Sequence, residues 1–300
     1  MKIIIAKSAG FCWGVKRAVD KARSLATTSQ SAFAKATADK SAFSNPHLAI
    51  PIRQSPIHTD GPLIHNKEMI AQLRSEGIIE AKNLQSLSSG YIIVRAHGIP
   101  PNRRAMLKKL PLTLIDATCP DVAKIQGLIK KYANKGYHII IFGDPGHAEV
   151  TGLLGYTNNK GFVVNQTKDI KNLPDMKPVC LVSQSTQFPA SYKKIADAVQ
   201  RRFAKAEILD TICESTKNRQ RELLKIARIV DAIIVVGGSH SANTVRLVQL
   251  AKTLKPTFHI QTSNQINSRK LRNFKTIGLT AGASTPAFII EDIKNKLEKM

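Results

Sequence analysis

Cys12, Cys119 and Cys213 stand in the same local setting three times over. KIIIAKSAGF precedes Cys12 and WGVKRAVDKA follows it; LTLIDAT and PDVAKIQGLI flank Cys119; EILDTI and ESTKNRQRELLKI flank Cys213. Each reads as a short apolar strand, a polar turn, the cysteine and then a helix. The cysteines lie 107 and 94 residues apart and divide the chain into similar thirds. A thiol between a strand end and a helix N-terminus meets unpaired N–H groups, which favour the thiolate. Three such thiolates converging from three units would make a soft, trigonal sulfur site. That site suits iron–sulfur or zinc and leaves a fourth coordination position open. The fourth cysteine, Cys180, lies inside the strand PVCLV, where a small apolar core role is expected.

Other strand ends finish in His, Ser, Thr, Asn and Gly. His65 lies in PLIHNKEM, His97 ends YIIVRAHG, and His147 and Glu149 lie in IIIFGDPGHAEVTG. Ser183, Ser185 and Thr186 end CLVSQST, Ser241 and Asn243 lie in IIVVGGSHSANT, and Ser284 lies in IGLTAGASTP. In a doubly wound sheet, ligands bind at the carboxyl ends of strands, where helix N-termini point N–H groups at anions. Three imidazoles, several hydroxyls and an amide there suit a phosphate or diphosphate. Singly each signal has a plainer explanation: a structural histidine, or a helix cap at Ser241 and Ser284. Recurrence at one topological place in each third shifts the reading toward a site. His138 and His259 read as structural, His47 and His58 lie in or beside an insertion, and nothing in its spacing marks His240. Glu149 is a proton donor if burial raises its pKa, or a first-turn carboxylate complementing a helix dipole.

These residues need a scaffold, and the hydrophobic pattern supplies one. Apolar runs at Ile3–Ala6, Tyr91–Arg95, Leu112–Ile115, His138–Phe142, Gly161–Val164, Pro178–Val182, Ala206–Leu209, Ala232–Val236, Thr257–Ile260 and Thr276–Leu279 predict strands. Helical spacing covers Val15–Ala26, Lys67–Glu76, Val122–Asn134, Ser191–Phe203, Arg219–Ile229, Asn243–Leu254 and Pro286–Leu297. This alternation predicts an α/β fold of parallel sheets covered by helices. Residues 28–54 break the rhythm: rich in Ala, Ser, Thr and Lys, they repeat Ser-Ala-Phe and contain Pro46 and Pro51. They read as an exposed, partly disordered insertion whose Ala-rich part forms at most a helical turn or two.

Composition sets the bounds. Three hundred residues, 43% of them apolar, can bury a sizeable core as one large domain or two to three small ones. No apolar run approaches the roughly 18 residues of a membrane helix, and the N-terminal one ends at Ala6, too short for a signal peptide. Four cysteines without close pairs argue against a secreted disulfide framework and predict a cytoplasmic protein. The net charge of +24 raises nucleic-acid binding. Against it, the basic residues are spread along the chain and aromatics make up only 5%. A solvated basic surface, or a docking face for an acidic partner and an anionic substrate, remains.

Taken in order, GFCWGVKRA around Cys12, the IHN of His65, AHGI of His97, DATCP of Cys119 and GHAEV of His147 and Glu149 form a distinctive series. SQST, ICESTKNRQ of Cys213, SANT and TAGAS of Ser284 complete it. The chain resembles the 4-hydroxy-3-methylbut-2-enyl diphosphate reductase family over nearly its whole length. The resemblance implies a trefoil of three small α/β units with parallel-type sheets around a central 4Fe–4S cluster. The units would be 14–118, 119–212 and 213–300, the last joined by the N-terminal strand of 1–13. Cys12, Cys119 and Cys213 would hold three irons, and the fourth iron would bind the substrate hydroxyl. Reduced ferredoxin or flavodoxin would supply two electrons, the hydroxyl would leave as water, and isopentenyl and dimethylallyl diphosphates would result. Glu149 would supply the proton through Ser185. His65, His97, His147, Ser241, Asn243 and Ser284 would bind the diphosphate, with Ala242 offering its backbone N–H where the family has a second hydroxyl. Two other functions compete: a basic nucleic-acid-binding protein with a structural metal site, and a non-redox dehydratase at an open iron site.

Overall fold

A computed structural model of the chain describes residues 1–38 and 56–300, with the backbone alone for 29–38. Twelve strands are present among the described residues: β1 Lys2–Ile5, β2 Ile57–Asp60, β3 Ile78–Glu80, β4 Tyr91–Val94, β5 Thr113–Asp116, β6 His138–Phe142, β7 Gly161–Val164, β8 Val179–Ser183, β9 Glu207–Ile208, β10 Ala232–Val236, β11 Thr257–Ile260 and β12 Thr276–Ala281. The helices are α1 Trp13–Ala38, α2 Lys67–Ser75, α3 Pro101–Leu107, α4 Pro120–Asn134, α5 Ala148–Leu154, α6 Thr167–Lys171, α7 Pro189–Arg202, α8 Glu214–Ile226, α9 Ala242–Lys252, α10 Ser268–Leu271 and α11 Ala287–Glu298.

The strands form three four-stranded sheets in which every pairing is parallel. Their orders are β3-β2-β4-β5, β7-β6-β8-β9 and β11-β10-β12-β1. All three share one plan, second-first-third-fourth, and β1 from the N-terminus fills the fourth place of the last sheet. Alternate residues of the central strands enter separate cores, so helices cover both faces of each sheet. Ile139 and Ile141 pack with Ile125 and Ile129 of α4, whereas Ile140 and Phe142 pack with Ile195 and Val199 of α7. Burial on both faces explains the unbroken apolar runs that made these strands legible.

The helices that follow the three cysteines run from one unit into the next. α1 follows β1 of the third sheet and packs Ala18, Val19 and Ala22 on the first sheet. α4 follows β5 of the first sheet and packs on the second. α8 follows β9 of the second sheet and packs Leu223 and Ile226 on the third. The chain therefore closes a ring of three units, with a cysteine at each crossing.

Three expectations need correction. The helix expected to end at Ala26 continues to Ala38, well into the segment read as disordered. Helix-favouring Ala, Lys and Ser and the absence of Gly or Pro between residues 15 and 45 carry it on; residues 39–55 lie outside the described residues. β2 and β3 were not foreseen, because IHTD and IIE are too short and polar to give a periodic signal. The short α3, α6 and α10 were also not foreseen as helices, and α5 was only implied by reading Glu149 as a first-turn carboxylate.

Candidate active site

All three cysteines reach the site by one device. Each stands immediately before the first residue of its helix, and its backbone N–H donates to a carbonyl two residues beyond the third strand of a sheet. Cys12 N donates to Ala283 O at 3.1 Å, Cys119 N to Ala96 O at 2.9 Å and Cys213 N to Ser185 O at 3.0 Å. Those acceptors belong to the loops that carry Ser284, His97 and Ser185. Each cysteine is thus stitched to a loop that carries a hydroxyl or imidazole of the pocket. The turns before two cysteines are held by aspartates: Asp116 Oδ1 accepts the Thr118 N–H at 2.9 Å, and Asp210 Oδ1 accepts that of Ile212 at 3.1 Å.

One pocket is lined by Cys12, Cys119 and Cys213, by Glu149, and by His65, His97, His147, Ser185, Ser241, Ala242, Asn243 and Ser284. These residues expected from the sequence are therefore gathered in one place, whereas Ser183 stays within β8, its N–H donating to the Thr211 hydroxyl. Cys180 is not among them: it is fully buried in β8, its thiol pushed up to about 12 by desolvation.

The expectation that the helix N-termini favour thiolates is only half met in the free protein. Burial pushes Cys119 up to about 11, although the N–H groups of Asp121 and Val122 pull the other way. Burial also raises Cys213, opposed by Thr216, whose Oγ1 lies 3.1 Å from the sulfur. Desolvation of a buried thiolate outweighs a few N–H dipoles until a positive group is present.

The three thiols are free and partly buried. Gly14, in the first turn of α1, lies so close to Cys119 that an added Cβ would overlap its sulfur. Among the described residues no three His, Cys, Asp or Glu gather at single-ion distance. Three free thiols lining one pocket are a donor set that fits an iron–sulfur group.

Glu149 sits in the first turn of α5 and is 2% exposed. Its Oε1 accepts the Ser185 N–H at 2.6 Å and its Oε2 the Ser185 hydroxyl at 2.8 Å. Desolvation raises its pKa, the bonds from Ser185 and the charge of Arg246 opposing it. Asp144, the other carboxylate near His147, is bound by both oxygens to Arg246 Nη2 at 2.8 and 2.6 Å.

The histidines form a row across two units. His65 and His97 ring centres are 4.9 Å apart, and His97 meets His147 edge-on at 5.6 Å. Burial is the main reason that all three resist protonation, His97 strongly and His147 down to about 4. His147 Nδ1 caps α5 by accepting the Glu149 N–H at 3.2 Å, while His97 Nδ1 is buried with no partner. The third unit faces this row: Ser284 Oγ lies 3.5 Å from both Ser241 Oγ and His65 O. Asn243 Oδ1 accepts the Ala283 N–H at 3.1 Å, which leaves its amide hydrogens to donate. Thr186, named with the cluster at the end of β8, lines the pocket, as do Thr216 and Trp13, which were not singled out. Thr216 was detectable, since a hydroxyl three residues after a helix-capping cysteine returns to its sulfur.

Fold and site together define an α/β protein of three parallel-sheet units that meet at a pocket of thiols, imidazoles and one buried carboxyl. A family model described as LytB protein matches residues 3–298, and the chain belongs to that family. It is 42% identical over 313 residues to 4-hydroxy-3-methylbut-2-enyl diphosphate reductase of Opitutus terrae, covering all of both chains. The reductase of Alkaliphilus oremlandii is 35% identical over 302 residues, again with both chains fully covered. Among solved structures, the E-1-hydroxy-2-methyl-but-2-enyl-4-diphosphate reductase from Plasmodium falciparum superposes with a TM-score of 0.85 at 28% identity, over 98% of this chain and 87% of that one. A second, described as (E)-4-hydroxy-3-methyl-but-2-enyl diphosphate reductase, the terminal enzyme of the non-mevalonate pathway, gives 0.69 at 32% identity with both chains fully covered. The nucleic-acid-binding alternative finds no support in these matches.

Proposed function

We propose that this chain reduces 4-hydroxy-3-methylbut-2-enyl diphosphate to isopentenyl and dimethylallyl diphosphates and water, the last step of the non-mevalonate isoprenoid pathway. The observation that carries the reading is the single pocket in which three free thiols, a buried carboxyl and a row of imidazoles face one another. Cys12, Cys119 and Cys213 would hold a 4Fe–4S cluster with one iron left open. When bound, that group would supply Lewis acidity at the substrate hydroxyl and pass on two electrons from reduced ferredoxin or flavodoxin.

The chain's own residues do the rest. The imidazoles of His65, His97 and His147, neutral before substrate arrives, donate to diphosphate oxygens, with the unpartnered His97 Nδ1 reserving hydrogen-bonding capacity. Ser241, Ser284 and the Asn243 amide donate from the opposite wall. Ala242 is the first residue of α9, so its N–H is one of the unpaired donors that a helix N-terminus offers an anion. Glu149, its pKa raised by burial, holds a proton more readily than a solvated glutamate. It passes that proton, through the Ser185 hydroxyl bonded to Oε2, to the departing hydroxyl.

On this reading the units are 14–118, 119–212 and 213–300 with 1–13, and the setting is the cytoplasm. No described helix is long and apolar enough to cross a membrane. The test is anaerobic reconstitution with iron and sulfide, followed by assay with 4-hydroxy-3-methylbut-2-enyl diphosphate and a reduced donor. A broad visible absorbance that bleaches on reduction, with donor-dependent turnover, is expected. Turnover without a donor would assign a dehydratase instead, and a colourless zinc protein would overturn the reading.

A further inference from the structure

Arg219 lies on α8, six residues after Cys213, and is only 3% exposed. Its Nη1 donates to Ser8 O and, at 3.1 Å, to Ala281 O, and its Nη2 donates to Gly10 O at 2.7 Å. These carbonyls flank the site: Ser8 and Gly10 lead into Cys12, and Ala281 leads into Ala283 and Ser284. Glu222, one turn further along α8, grips the same strap from its N–H side. Its Oε1 accepts from Lys7 N at 2.6 Å and its Oε2 from Ser8 N at 2.8 Å. One helix thus holds the strap to Cys12 through a cation on its carbonyls and an anion on its amides.

The charges in this clamp are unequally compensated. Glu222 is partly exposed and well supplied with N–H donors. Arg219 is buried, its Nε has no partner, and no carboxylate among the described residues lies within ion-pair distance. A buried charge is costly unless an opposite charge faces it. Its Nη2 is bound to Gly10, two residues before Cys12, and its own helix opens at Cys213, so beside Glu222 the groups placed to answer its charge are these two cysteines once they are deprotonated.

We propose that Arg219 is the buried counter-charge of the Cys12 and Cys213 thiolates, and that it sets the reduction potential of the group they hold. It is a positioning residue, since it does not line the pocket, and the inference rests on the iron–sulfur reading above. A fixed cation beside the thiolates favours the state that has gained an electron. Removing it makes the potential more negative, and keeping a cation of another shape preserves it.

The experiment compares Arg219→Gln, Arg219→Lys and Glu222→Gln with wild type after anaerobic reconstitution. Iron content and midpoint potential are read by dye-mediated spectroscopic titration. Absence of a reducible cluster in the wild type would sink the iron–sulfur reading itself, separately from this proposal. With a loaded wild type, the Gln variant should shift to a more negative potential, while Arg219→Lys and Glu222→Gln stay near wild type. Glu222→Gln loosens the same strap without removing the cation, so it separates charge from geometry. If Arg219→Gln cannot load iron but Arg219→Lys can, the charge is again required. An unshifted potential in Arg219→Gln, an equal shift in Glu222→Gln, or loss of iron from both Arg219 variants would make the role one of shape alone and overturn the proposal.

Discussion

Ser185 holds both oxygens of the Glu149 carboxyl, its N–H on Oε1 at 2.6 Å and its hydroxyl on Oε2 at 2.8 Å. The same residue's carbonyl accepts the N–H of Cys213 at 3.0 Å. One loop after β8 therefore fixes the proposed proton source, Glu149, relative to Cys213, a proposed sulfur ligand. Burial and bonding oppose each other on that carboxyl, and burial prevails.

Glu149→Gln keeps the shape and an acceptor for Ser185 but removes the acid. Turnover should fall by about 10²–10⁴-fold, as for other acid–base groups, with substrate still bound to the loaded enzyme. Asp144→Asn is the comparison, since Asp144 is engaged by Arg246. Its loss should cost less than that of Glu149, by steady-state assay. The reverse order of damage would move the acid to Asp144.

Much of this site was legible because the chain repeats itself. A cysteine between a strand and a helix, seen three times, signals convergence in a way that one cysteine does not. His97 and His147 were readable for the same reason, each lying past a foreseen central strand; His65 was grouped with them although the strand before it, β2, was not foreseen. Two kinds of information were not local. The pairing of β1 with β12 joins residues such as Ile4 and Gly278, which no periodicity links. The clamp of Arg219 on Ser8 and Gly10 spans more than 200 residues and looks in the sequence like one more basic residue on an amphipathic helix. Thiol ionisation was misjudged in the free protein because a sequence displays helix N-termini but not desolvation.

Buried imidazoles make the cluster-free protein sensitive to mild acid. The unfolded His147 takes a proton near 6.5, whereas the folded one resists until about 4. Between those values the unfolded chain binds more protons, so stability is present above 6.5 and declines as pH falls toward 4. His65 and His97 act in the same sense, and Glu149, whose pKa is raised, acts in the opposite one. His147→Asn retains a helix-capping acceptor for the Glu149 N–H but cannot titrate. Urea midpoints should fall less steeply for the variant across that window; parallel curves would show that His147 titrates freely when folded.

Replacement of Cys12, Cys119 or Cys213 by Ser should each abolish stable iron loading, measured after anaerobic reconstitution and desalting. Cys180→Ala should load normally, because Cys180 lies within β8 away from the pocket. Its cost is one small buried group, about 1 kcal/mol of stability by chemical denaturation. Normal iron in any of the first three variants would remove that residue from the ligand set.

Gly14 makes the last test, because it separates sulfur geometry from fold stability. It lies in the first turn of α1, and an added Cβ would overlap the Cys119 sulfur and approach the Cys119 Cβ to 3.2 Å. Alanine in a helix is otherwise favoured over glycine by up to about 1 kcal/mol. Gly14→Ala should therefore leave the melting temperature of the cluster-free protein nearly unchanged, the helical gain offsetting the displaced thiol. Iron content should nevertheless fall several-fold, since Cys119 must turn from its place beside Cys12. Gly127→Ala is the control: Gly127 lies within α4, and an added Cβ there meets nothing within 4 Å. That variant should gain stability and load iron normally. Full iron loading in Gly14→Ala would mean that the Cys119 sulfur has room to spare, and that the close approach of α1 does not set the spacing of the ligands.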